Sequence, residues 1–196
     1  MKYADYLKST SLDKNQILAL AYGNLVEDEP EGGFASLPAP PMLMFDRITE
    51  ISHNGNRGRI VAEQDVLVDA WFFHCHFRND PVQPGCLGVD AVWQLIGLYA
   101  GLRGAQGSGR ALGVGSVEFL GQIRPYNKIV RYEVEIRRFA DLPASNSALA
   151  IGSAKVLVDG EAIYTLTDAK VGVFKNIRYP DYPYPSENSV GGVMQR

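Results

Sequence analysis

The chemistry this chain can perform is concentrated in residues 71–95, WFFHCHFRNDPVQPGCLGVDAVWQL. His76 precedes a turn rich in Asn79, Asp80 and Pro81, and Pro84-Gly85 then starts a helix that carries Asp90. A neutral imidazole is a base near neutral pH. Along the helix the neighbours of Asp90 are Leu87, Val89, Ala91, Val92, Leu95 and Ile96, so its carboxyl is expected to be desolvated, which favours the protonated form. A base and a neutral carboxylic acid can divide proton removal and proton donation between them. The loop feeding the helix supplies the third part. Backbone N–H groups at a helix start have no intrahelical acceptor and can hold an oxyanion or a polarised carbonyl, and Gly85 is the natural donor because a ligand can approach it closely.

Blander readings exist for each residue. An aspartate on an apolar helix also serves as a hydrogen-bonded structural group. His74 lies two residues before His76, hence on the same face if a strand runs that far, and His-x-His can bind a metal; no third ligand has a convincing spacing, so no metal site is assigned. Cys75 and Cys86 stand beside no orienting motif and read as reduced thiols rather than nucleophiles or a disulfide framework. The glycines of GVGSVEF lack the full dinucleotide fingerprint before a helix, and they read as close-packing positions in a strand. Trp71, Phe72, Phe73 and Trp93 are expected in the core, with an acyl tunnel as the functional alternative.

The elements that must position these groups follow from patterning. Residues 11–23 read as a short amphipathic helix capped by Ser11 or Asp13 and stopped at Gly23, followed by an acidic, breaker-rich connector at 27–33. Strand patterns occupy MLMFDRITEIS and RGRIVAEQDVLV, with a hairpin turn at Asn54-Gly55-Asn56. Four more follow the middle of the chain: ALGVGSVEFLG, KIVRYEVEIRRF, SALAIGSAKVLV and EAIYTLTDAKVGVF, the last two joined at Asp159-Gly160. Between the two sets, PGCLGVDAVWQLIGLYAGLRG is apolar around almost its whole circumference and must be buried. One buried helix wrapped by about six twisted antiparallel strands is an α+β layout. Residues 1–174 are expected to form one domain with an N-terminal helical extension, and 175–196 an irregular tail.

With 196 residues and 46% hydrophobic side chains, the chain suffices for one well-packed domain. A net charge of -3 argues against a nucleic-acid binder. The N-terminus shows no apolar signal core, and no run is expected to reach the ~18 apolar residues that span a bilayer, so no membrane partner is assigned and the expected location is cytoplasmic.

Three runs, LPAPPMLMFDRI, CHFRNDPVQPGCLGVDAVWQLIG and GRALGVGSVEFLGQIRP, make the chain resemble the 3-hydroxydecanoyl-acyl-carrier-protein dehydratase/isomerase family of bacterial type II fatty acid synthesis, from about Leu37 to Phe174. The resemblance implies a hot-dog fold and a homodimer with active sites in tunnels at the subunit interface. It implies His76 as catalytic histidine and Asp90 as catalytic acid, from opposite subunits, with the amides of Gly85 and Cys75 polarising the thioester carbonyl. The implied activity is dehydration of (3R)-3-hydroxyacyl thioesters, about C10, on acyl carrier protein, with isomerisation of trans-2 to cis-3 enoyl products and no cofactor. Aspartate rather than glutamate at the acid position is similar to the bifunctional branch. Alternatives are a dehydratase without isomerase activity, a noncatalytic acyl-binding hot-dog domain and a thioesterase. The chain departs from the family where Gln83 replaces the common methionine, where His74 replaces glycine, and in its longer tail.

Overall fold

The structure of the protein, a computed structural model, describes residues 1–175, 177, 183 and 184. The irregular tail expected at 175–196 lies almost wholly outside the described residues. The two-residue periodicity of the strands decides what they bury. In β5 (Ile129–Leu142), Val130, Tyr132, Val134 and Ile136 point inward and are almost fully buried. The alternate positions Arg131 and Glu133 face outward and join a cross-strand ion-pair row with Arg59 and Glu63 from β2 (Arg57–Asp65). β2 also pairs with β1 (Arg47–Asn54) through a hairpin whose Gly55 has φ 58°, at the expected Asn54-Gly55-Asn56 turn.

β6 (Ser147–Val158) and β7 (Glu161–Phe174) are joined by Asp159 and Gly160 at φ 50° and 90°, the two positive angles a tight two-residue hairpin demands. The expected strand over ALGVGSVEFLG breaks in two. β3 (Ser108–Gly113) ends where Gly113 adopts φ 146°, and β4 (Ser116–Phe119) resumes after two residues, both antiparallel to β7. The sheet therefore has seven strands in the order β1-β2-β5-β6-β7-β3, with β4 also on β7.

Of the helices, α1 (Tyr3–Tyr6) was not foreshadowed by any periodicity; its fully buried Tyr6 packs against Phe34. α2 (Lys14–Ala21) is capped by Asp13, not Ser11: Asp13 Oδ1 accepts from the Gln16 amide and Gln16 Oε1 from the Asp13 amide, each at 2.9 Å. The long helix α3 (Gly85–Leu102) lies against β2, β3, β5, β6 and β7, as a helix apolar on all sides must. The wrapped sheet and enclosed helix form the expected α+β hot-dog fold. One expectation fails here. α3 is long and apolar enough to cross a bilayer by length and composition, although 72% of it is buried inside the fold.

Candidate active site

No strand leads into the site. Trp71–His74 form a single 3-10 turn, so His74 and His76 do not share a strand face. Phe72 and Phe73 are buried as expected, whereas Trp71 is exposed. His74 is exposed too, its Nε2 donating to the Asp69 carbonyl at 3.3 Å.

From Cys75 to Pro84 the chain forms a loop clamped on itself. The His76 carbonyl accepts from the Val82 amide at 2.8 Å, and His76 Nδ1 lies 2.9 Å from the Val82 carbonyl oxygen. Phe77 and Asp80 exchange backbone hydrogen bonds of 2.9 and 3.1 Å around Asn79, which takes φ 64°. An ion pair from Asp80 to Arg124 and a 3.0 Å bond from the Gln83 amide to the Ile123 carbonyl tie the loop to the body.

The clamp settles the state of His76. A carbonyl oxygen only accepts, so Nδ1 must carry a proton, and in the neutral ring Nε2 keeps its lone pair. His76, half-buried, opens on a cavity of about 590 Å³ walled by Val82, Val89, Trp93, Val117, Phe119 and Tyr164. Burial, followed by the neighbouring Cys86, pushes the Tyr164 phenol up to about 12, so its hydroxyl stays neutral in the physiological range.

Gly85 and Cys86 line the same cavity. Their amides open α3 and have no backbone or side-chain acceptor among the described residues, so donors face a cavity that also holds an imidazole. A Cβ on Gly85 would come within 2.6 Å of the Phe119 ring, and one on Gly88 within 2.6 Å of the Tyr164 ring. Glycine thus lets both rings close on the helix start. Cys75 is different: its amide donates to the Phe72 carbonyl at 3.2 Å, closing the 3-10 turn, and its exposed thiol lies over the Trp71 and Phe72 carbonyls.

Asp90 does not line the His76 cavity. Residues 85, 89 and 93 follow one another along one stripe of α3, whereas 90, 94 and 97 form the next stripe around, as helical spacing requires. The second stripe lines a separate cavity of about 280 Å³ with Leu37, Met42 and Arg110, and Trp93 borders both. Asp90 is half-buried rather than enclosed by its apolar neighbours, which point into the core.

Sequence reasoning missed two groups. Gln94, one turn beyond Asp90, donates from Nε2 to Asp90 Oδ2 at 2.6 Å and to the Met42 carbonyl at 2.7 Å, while its Oε1 accepts from the Met44 amide at 3.2 Å. The backbone of residues 42–44 therefore dictates which end of the carboxamide faces Asp90. The i, i+4 spacing of Asp90 and Gln94 is the signal that marks it. The Val82 carbonyl is a backbone group and leaves no mark in sequence.

Solved structures similar to this chain include a dehydratase heterocomplex, ApeI:P, from Xenorhabdus doucetiae, 12% identical over 71% of this chain and 86% of that one at TM-score 0.48. Others are a hypothetical thioesterase with coenzyme A from Streptococcus pneumoniae, at 13%, 64%, 85% and 0.44, and a MaoC-like dehydratase from Rhodospirillum rubrum, at 17%, 65%, 96% and 0.40. The family model for the FabA-like domain matches residues 37–167, more than half of the chain and the whole stretch that builds the His76 cavity, and the protein is therefore a member of the FabA-like hot-dog family.

Proposed function

We propose that the protein is a dehydratase acting on 3-hydroxyacyl thioesters carried by acyl carrier protein, as a homodimer in which His76 of one subunit and Asp90 of the other serve one site. The observation that carries the reading is the His76 clamp: with Nδ1 bonded to the Val82 carbonyl, Nε2 is the basic atom, and it shares an apolar cavity with the helix-start amides. In the proposed reaction the thioester carbonyl accepts from the Gly85 amide, which acidifies the proton on carbon 2. The Cys75 amide remains a candidate second donor, if it turns from the Phe72 carbonyl. Nε2 takes that proton, the electron pair forms the carbon 2–carbon 3 double bond, and the bond from carbon 3 to its hydroxyl breaks as Asp90 donates a proton. The products are a trans-2-enoyl thioester and water.

Only protons and one C–O bond change hands, so the reaction calls for no cofactor. The same imidazole, moving a proton from carbon 4 to carbon 2, gives the cis-3 isomer, the activity associated with aspartate at the acid position. A dimer is supported by exposed apolar groups, Phe77, Phe119 and Leu120, at or beside the mouth of the His76 cavity.

Incubation with 3-hydroxydecanoyl thioester, with chromatographic separation of products, tests this reading. Trans-2 and cis-3 decenoyl thioesters are expected, and His76→Ala should form neither while keeping its fold. Free acid and thiol would make the protein a thioesterase, and tight binding without turnover a noncatalytic acyl-binding domain.

A further inference from the structure

Gln83 is 2% exposed, neither its Oε1 nor its Nε2 meets hydrogen-bond geometry with a partner among the described residues, and the residue lines the His76 cavity. Leaving a carboxamide buried and unpaired is costly, and the rest of that wall is largely apolar, so the site tolerates a polar group where an aliphatic one of similar volume fits. The adjacent Tyr132 hydroxyl donates to Gln64 Oε1 at 2.9 Å, so toward Gln83 it can act only as an acceptor for Nε2, and it offers Oε1 no donor. Gln83 Oε1 in particular is an acceptor with no donor among the described residues.

We infer that Gln83 is a specificity residue that hydrogen-bonds a second oxygen function on the acyl chain, making the preferred substrate a 3-hydroxyacyl thioester with a further hydroxyl close to the reacting carbons. The inference rests on the dehydratase reading above. In that reading the 3-hydroxyl is handled by Asp90 and the carbonyl by Gly85, so the partner of Gln83 must be another group. Position follows from chain geometry. Gln83 and Gly85 are two residues apart, at most ~7 Å between their Cα atoms, and both line the His76 cavity, which puts the proposed partner of the carboxamide on the carbonyl-proximal part of the chain. A hydroxyl on carbon 5 fits, and it offers a donor to Oε1 and an acceptor to Nε2.

Two measurements on the full-length protein test it. The first is the ratio of kcat/KM for 3,5-dihydroxydecanoyl over 3-hydroxydecanoyl thioester. Wild type should favour the dihydroxy substrate about tenfold, and Gln83→Met and Gln83→Leu should bring the ratio to one or below, because the substrate hydroxyl then loses its partner. The second is calorimetric binding of unreactive 5-hydroxydecanoyl and decanoyl pantetheine amides, which needs no turnover. Wild type should bind the hydroxylated amide about tenfold more tightly. A wild type that ranks both pairs equally, or prefers the plain chain, overturns the proposal and leaves Gln83 to an ordered water. Because wild type alone decides this, the outcome does not depend on the variants folding. Discrimination in binding without dehydration of either substrate would sink the dehydratase reading and keep the role of Gln83.

Discussion

At the scale of single residues, the site depends on groups that hold other groups. His76 and Asp90, the proposed base and acid, stand out in the sequence because their types are improbable beside a Pro-Gly helix start and on an apolar helix. Their holders were less so: Val82 acts through its carbonyl, and Gln94 acts through a carboxamide whose direction is set by Met42 and Met44, some fifty residues away in sequence. Gln94 bonds Asp90, so in the proposed reaction it would act as a positioning residue. Hydrogen bonds to ionisable groups contribute about 1.5–3 kcal/mol, so Gln94→Leu should lower kcat roughly ten- to hundredfold. KM should be nearly unchanged, because the Gln94 carboxamide is engaged by Asp90, Met42 and Met44. A rise in KM at constant kcat would show that Gln94 binds substrate rather than orienting the acid. Loss of both together with a lowered melting temperature would show a purely structural role through residues 42–44.

At the scale of elements, periodicity found the strands and turn chemistry found the hairpins, but the break in the expected strand at 111–121 was hidden. Val114 and Gly115 continue the apolar, glycine-rich pattern of GVGSVEF, and only the backbone turn at Gly113 separates β3 from β4. The 3-10 turn at Trp71–His74 was hidden for a related reason, since four residues carry too little periodicity to differ from a strand end. The β6–β7 turn also fastens the start of β5. The Asp159 carboxylate accepts from the amides of Ile129 and Lys128 and from Asn127 Nδ2, and these bonds, the Ile129 amide foremost, hold it below the usual carboxylate range. A depressed folded-state pKa contributes stability above the unfolded value, about 3.9, and that contribution is lost as pH falls through the folded value. Asp159→Asn keeps a residue suited to φ 50° and an acceptor oxygen, and removes only the charge. The variant should melt lower than wild type at pH 7, and the gap should narrow as pH falls below the unfolded value of about 3.9 and wild-type Asp159 protonates. A gap that stays constant with pH would mean that turn geometry, not the carboxylate charge, carries the effect.

At the scale of the whole molecule, α3 meets the length and apolarity of a membrane helix, yet the sheet around it buries it in protein, as its apolar circumference led us to expect. The same helix divides the site. It presents Gly85 and Val89 to the His76 cavity and Asp90 and Gln94 to the other, so one subunit shows the proposed base and acid on different faces. A two-fold dimer that brings the Asp90 face of one copy to the His76 face of the other would complete two identical sites. His76→Ala and Asp90→Asn should each be inactive alone, because every site in either homodimer lacks one group. When the two variants are unfolded together and refolded as a mixture, a hybrid dimer has one site with both defects and one with neither. Random pairing makes about half the dimers hybrid, each with one of two sites working, so activity should return to about a quarter of wild type. If both groups of a site came from the same subunit, every site would carry one defect and none would work. Mixed refolding that gives native-like dimers, verified by their mass and melting temperature, but no turnover would therefore exclude the shared site.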